Sequence, residues 1–246
     1  MKKITPFFIA LLMLGACKKT AAPVTVPVQF TSSTYATLGA NDAAGKPLYL
    51  TTSDVISSSL SSYLSTTLPE RSDLRKTNPS LLSSSAIADI AITQKSNVSI
   101  TFVSQGTGCT DALGFYTYPT NSKPTSASDI KTITTIFPLV GYGTTLQSGN
   151  KVNIGTFESG TSVGFVLLQN GWDPVNKKVN TDAVHFCSND ALNPEVDPNL
   201  KKHAVLINYP AENKVLIGFE DFDRTWPQCD NDFNDVVVYA TVTPAG

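Results

Sequence analysis

Histidine is almost missing from this chain. It has two, His185 and His203, each beside or within an apolar run, where a histidine is more often a hydrogen-bonded structural residue than a base. No Gly-x-Ser-x-Gly elbow, phosphate loop or His-Glu-x-x-His helix occurs. Cys109 in QGTGCTDALG has no partner base nearby in sequence. These absences weigh against an enzyme. They leave one catalytic class open, because the paired carboxylates of glycosidases are set by space rather than by sequence. Charge is scarce as well: 15% of residues are charged and the formal net charge is −2, more acidic once Lys2 and Lys3 leave with a processed leader. A nucleic-acid binder would need a basic face, so no nucleic-acid partner is expected. Long apolar runs are also lacking. The longest, Ile4 to Leu14, is too short to span a bilayer.

What is present begins with that run. In MKKITPFFIALLMLGACKKT, a charged start and an apolar stretch lead to Leu14-Gly15-Ala16-Cys17, which resembles the bacterial lipobox. Residues 1–16 read as a lipoprotein signal peptide and Cys17 as the lipidated residue. The implied location is the cell envelope, most naturally the outer membrane, with the membrane as a partner through the lipid anchor. Residues 17–45 are small and polar with little periodicity and read as a flexible tether. Residues 46–246 are long enough for one sizeable core.

In SDVISSSLSSYL, Val55, Ile56, Leu60, Tyr63 and Leu64 recur at helical spacing, with Ser53 or Asp54 as cap. From about Ile87 the pattern becomes strands: 97–105, 113–119, 130–138, 151–157, 161–169, 182–187, 203–209, 214–220 and 235–243. They are rich in Val, Ile, Thr and aromatics and are parted by Gly, Pro, Asn and Asp turns. No long helical crossover separates them. The expected fold is all-β: a largely antiparallel two-sheet β-sandwich of jelly-roll type with one short N-terminal helix.

Cysteine count is awkward. With Cys17 given to lipid, Cys109, Cys187 and Cys229 remain, an odd number for an oxidising compartment. One bridge and one spare thiol is the simplest account. The sequence does not fix the pairing; Cys187 with Cys229 is the expected bridge, since it would pin the acidic loop to the strand ending at Cys187. Trp172, Trp226, Tyr116, Tyr118 and Tyr142 lie near strand ends and turns, where they either plug the core or stack on sugars.

The unusual stretch is EDFDRTWPQCDNDFND, residues 220–235. Glu220, Asp221, Asp223, Asp230, Asp232 and Asp235 stand there against Arg224 alone. A turn needs one or two such residues, and the mutual repulsion of six is unfavourable without a cation. Asp230, Asp232 and Asn234 alternate, so an extended chain would point them the same way. All these donors are oxygen, which favours a hard cation such as calcium. The pattern is not an EF-hand: Asp235 stands where that loop needs glycine, and Thr241 where it needs the closing glutamate.

GFEDFDRTWPQCDNDFNDVVVY, within residues 218–239, resembles the hallmark of a bacterial domain of unknown function that closes the LruC-domain lipoproteins and also occurs in large, secreted, calcium-dependent surface proteins. The likeness extends upstream through SITFVSQGTG, ALGFYTYP and SGNKVNIGTFESGTSVGFVLLQNGW. The resemblance implies an exported β-sandwich with no established enzymatic activity and a calcium site drawn from Glu220, Asp221, Asp230, Asp232, Asn234 and Asp235. Two departures stand out. Asp111, with Cys109 nearby, occupies a position where relatives usually carry asparagine, and Cys187 lies in a segment where relatives tend to show an aromatic. The expected function is a calcium-stabilised binding or adhesion module for a glycan or protein ligand. The alternatives are an envelope polysaccharide hydrolase using the acidic-loop carboxylates and a purely structural envelope protein.

Overall fold

The computed structural model describes residues 28–83 and 86–246. The expected leader, the expected lipidation position Cys17 and the first part of the expected tether lie outside the described residues. Among the described residues, no helix is long and apolar enough to cross a membrane.

The strands are β1 (Thr34–Thr37), β2 (Ile90–Ala91), β3 (Ser96–Gln105), β4 (Ala112–Pro119), β5 (Thr132–Phe137), β6 (Lys151–Phe157), β7 (Thr161–Gln169), β8 (Trp172–Asp173), β9 (Lys178–Val179), β10 (Val184–Cys187), β11 (Ala204–Tyr209), β12 (Lys214–Phe219) and β13 (Val236–Pro244). One sheet runs β1-β5-β4-β7-β10, with β2 also on β7; the other runs β11-β12-β13-β3-β6. All pairings are antiparallel except β1 with β5. The core between the sheets follows from period-2 alternation. Ile100 and Phe102 of β3, Phe115 of β4, Phe165 of β7 and Val238 of β13 all belong to it. The fold is therefore the expected β-sandwich.

Each sheet also buries part of its outer face. The outer face of the second sheet is covered by α1 (Ser58–Thr67) and the short α2 (Leu74–Thr77), through Leu60, Leu64, Leu68 and Leu74 against Val205, Leu216 and Tyr239. The helix begins later than its spacing suggested. Ser57 caps it, its hydroxyl accepting from Leu60 N at 3.0 Å, and Val55 is left 88% exposed. Asp54 binds the sheet instead, accepting from Thr101 and Tyr239 hydroxyls at 3.0 and 2.9 Å.

The outer face of the first sheet is covered partly by the segment read as tether. That expectation is corrected from residue 28 onward. Phe30 is buried with Tyr116, Ile133 and Leu168, and β1 pairs in parallel with β5. Gln29 and His185 N are joined at 2.8 Å. A polar TYAT carries no strand signal of its own; the edge of β5 supplies it.

Candidate metal centre

Sheet register gathers the acids. Phe219 at the end of β12 pairs with Val236 at the start of β13, and Val236 also pairs with Gln105 at the end of β3. The loop 106–111 leaves that same end and crosses to β4 in the facing sheet. Its neighbour there is the end of β7, since Ala112 pairs with Leu168. Three loops from both sheets thus meet: 106–111, 170–172 and 220–235. Two close backbone approaches lock them. A Cβ at Gly218 would lie 2.3 Å from Phe233 O, and one at Gly141 would lie 2.2 Å from Cys109 O. Only glycine permits either contact.

The acidic loop is not extended. Asn231 and Phe233 sit at φ 59° and 58°, the left-handed region. The alternation argument therefore fails. Asn234 turns away, its amide donating to Leu68 O at 3.2 Å. Phe233 is fully buried under α1, and Asn231 is held inside by Arg224 Nε at 2.8 Å. The left-handed steps direct Asp230 and Asp232 toward Glu220: one carboxylate oxygen from each of the three lies within 4.8 Å of the others. Glu220 and Asp232 are buried and Asp230 is exposed. Asp235 adjoins them; its Oδ2 accepts from Asp221 N at 2.9 Å. Asp221 faces the other way, toward Asp111 and Cys109. Of the six residues expected as one cage, three converge, Asp235 stands beside them, and Asp221 and Asn234 point elsewhere.

Among the described residues, no cationic side chain is in ion-pair contact with these acids. Arg224 spends its guanidinium on Asn231, on Lys202 O at 2.9 Å and on the face of Phe233 at 5.3 Å. Among the described residues, no lysine, arginine or histidine forms an ion pair with Asp111, Glu220, Asp221, Asp230, Asp232 or Asp235, although such pairs occur elsewhere. Burial above all, with neighbouring Asp230, Asp232 and Asp221 adding to it against an opposing hydrogen bond from Cys229, pushes Glu220 up to about 7. Burial, then Asp221 and Glu220, pushes Asp235 up to about 10. Asp111 is raised well above the usual carboxylate range by burial and by Asp221. Asp111 Oδ2, Glu220 Oε2 and Asp221 Oδ1 are buried without a hydrogen-bond partner. Buried carboxylate oxygens are unfavourable when left unpaired. In the Glu220–Asp230–Asp232 triad, Asp232 is held by Arg71 N on Oδ2 at 2.7 Å and by Asn234 N on Oδ1 at 3.1 Å, and Glu220 Oε2 is the oxygen left without a donor; an all-oxygen set of this kind fits a hard ion.

The expected Cys187–Cys229 bridge is corrected: Cys109, Cys187 and Cys229 are free and buried. Cys187 ends β10 in the outer-face cluster with Leu168 and Leu192, whereas Cys229 lies in the acidic loop beside Glu220, at the end of the other sheet. Both histidines are fully buried with their ring nitrogens engaged. His185 meets Tyr35 OH at 2.8 Å and Ala183 O at 2.7 Å; His203 meets Glu195 at 2.6 Å and Glu220 O at 3.0 Å. Burial drives His185 down to about 4. Trp172 and Tyr116 plug the core, at 4% and 1% exposure. Tyr118 is half-buried, whereas Tyr142 and Trp226 are exposed on loops of the acidic end.

Sequence reasoning did not include Asp111 among the ligands. Its carboxylate was legible in the sequence, but only the crossing from β3 to β4 brings it to Asp221. Among curated proteins and among solved structures, none matches this chain. Residues 157–243, a stretch that holds the whole acidic loop and stops short of Asp111 on its upstream side, match the family model described as a domain of unknown function, DUF4114, and over that stretch the chain is similar to that family.

Proposed function

We propose that the acidic end binds calcium and that the domain is a calcium-stabilised binding or adhesion module of the bacterial cell envelope, akin to the LruC-domain lipoproteins and carried on a lipid at Cys17. The observation that carries the reading is the buried Glu220 carboxylate, one oxygen without a hydrogen-bond partner, converging with Asp230 and Asp232 where no lysine or arginine of the described residues forms an ion pair. Calcium there would tie the end of β12 to the entry of β13. It would also hold the loop that displays Trp226, 48% exposed, and fix the end that displays Tyr142, 62% exposed. Exposed aromatic faces beside an ordered cation suit a glycan, which stacks its apolar face on a ring.

The test is retention of labelled envelope polysaccharide on the immobilised chain with calcium and with chelator. Calcium-dependent retention without released fragments, weakened by Trp226→Ala, is expected. Fragment release would turn the reading to the hydrolase, and retention indifferent to calcium would overturn the calcium-dependent module.

A further inference from the structure

Beside the oxygen triad, the crossing loop and the end of β12 bring a chemically different set together. One carboxylate oxygen of Asp111, one of Asp221 and Cys109 Sγ lie within 4.8 Å of one another, all three residues buried. Their surroundings hold each acid by its outer oxygen. Asn170 N donates to Asp111 Oδ1 at 2.9 Å, and the Thr107 hydroxyl donates to Asp221 Oδ2 while accepting from Cys109 N at 2.8 Å. Asp111 Oδ2 and Asp221 Oδ1 receive no N–H or hydroxyl hydrogen bond, on residues that are 0% exposed. Outer hydrogen bonds that orient a carboxylate while leaving its inner oxygen free are the usual support of a metal ligand.

The donors separate this place from its neighbour. Glu220, Asp230 and Asp232 offer oxygen only, with Asp230 open to water. Calcium needs about six to eight oxygens and takes no thiolate. The enclosed set offers few donors, one of them sulfur. Zinc takes four ligands, with sulfur at about 2.3 Å and carboxylate oxygen at about 2.0–2.2 Å, which three atoms this close can meet. We propose that Cys109, Asp111 and Asp221 form a second site for a zinc-class divalent cation, with one coordination position left for a small ligand. On binding, the Cys109 sulfur exchanges its proton, released to solvent, for the metal. The site shares no ligand with the calcium triad and does not rest on it.

Cobalt(II), as the spectroscopic stand-in for zinc, tests this on the full chain. The expected result is a thiolate-to-cobalt charge-transfer band that one equivalent of zinc abolishes. Cys109→Ser removes the band. Thr107→Val keeps it but weakens affinity about 10–100-fold, as loss of an orienting partner does. Asp232→Ala leaves the band intact while removing the calcium response, so the two readings fail separately. No band in the wild-type chain overturns the proposal, whether or not Cys109→Ser folds. A band that survives Cys109→Ser overturns it too, because Cys187 or Cys229 must then be the ligand.

Discussion

Asp54 and Glu220 are both carboxylates set against the same sheet, and they meet opposite fates. Asp54 receives Lys151 at 2.5 Å with the hydroxyls of Thr101 and Tyr239; against the opposing effect of burial, these hold it below the usual carboxylate range. Glu220 is more deeply buried, forms no ion pair, and is raised by burial and by neighbouring Asp230, Asp232 and Asp221, although Arg224 and Arg75 stand near enough to feel its charge. The chain thus builds a complete internal counter-charge where it needs one. At the acidic end it turns its nearest arginine inward to Asn231 and a backbone carbonyl. The difference is one of contact: Asp54 has a lysine on its carboxylate, whereas among the described residues no lysine or arginine pairs with Glu220, and that counter-charge is what the proposed calcium would supply.

The comparison breaks most severely if the acids lose the scaffold that keeps them buried. Phe233 is 0% exposed, sits in the left-handed region and packs between α1 and Tyr239. Phe233→Ala should cost about 3–5 kcal/mol in urea unfolding and free the acidic loop. A cost near that of a surface change would mean that the loop holds itself.

Phe233 also marks where sequence reading stops. The strand at 161–169 is visible in TSVGFVLLQ because β-branched and aromatic residues fill it and turns bound it. The strand at 34–37 is not, because TYAT becomes a strand only by lying on β5. At the site, the type of residue was legible and the geometry was not. Six oxygen donors crowded into one segment announce a hard cation. Which of them converge depends on left-handed backbone at Asn231 and Phe233; asparagine carries a local tendency toward it, but phenylalanine carries none. Asp111 joins Asp221 through a crossing between sheets that no spacing reveals.

The next effect is that of pH on the metal-free protein. Glu220 rises from 4.5 to about 7 and Asp235 from 3.8 to about 10 on folding. Each therefore holds its proton in the folded state where the unfolded chain has lost it. The stability from this is full below the unfolded values and is lost as pH rises through the folded ones. Asp54 has the opposite sign: its contribution is present above 3.8 and is lost only in acid. Between about pH 5 and about pH 8, Asp54 is constant; buried His185, driven down to about 4, adds stability as pH rises only up to about its unfolded 6.5, so the fall from the acidic end is read between about pH 7 and about pH 8. In chelator the melting temperature should fall across that window, and calcium should flatten the fall. A flat profile in chelator would remove the electrostatic contrast.

Matched neutralisations sharpen the comparison by sign. Asp54→Asn leaves Lys151 without its carboxylate and weakens two hydroxyl bonds, so it should destabilise by roughly 1–3 kcal/mol at neutral pH. Glu220→Gln in chelator should stabilise, because it removes a buried like-charge repulsion and loses no ion pair. Urea unfolding of both variants, with chelator, reads the two signs. The same sign for both would show that the two acids are not different in kind.

The smallest expected effect is the calcium response itself. A site with only part of its cage from protein oxygens and one exposed ligand belongs with weak extracellular calcium sites, with Kd on the order of 10⁻⁴ M. At about 1 mM calcium, binding to the folded state alone contributes RT ln(1 + 10), about 1.4 kcal/mol. In a domain of this size that moves the melting temperature by about 3–6 °C. Calcium should produce the shift and magnesium should not, because magnesium demands near-ideal octahedral geometry and sheds water reluctantly. Asp232→Ala should abolish the shift while leaving the chain folded at low temperature. Asp111→Asn should leave it intact, since Asp111 faces Cys109 and Asp221 rather than the triad. Differential scanning fluorimetry of the three proteins decides between outcomes. Loss of the shift in Asp111→Asn would merge the two acid groups into one site, and no shift in the wild type would leave Glu220 with a proton where a cation is proposed.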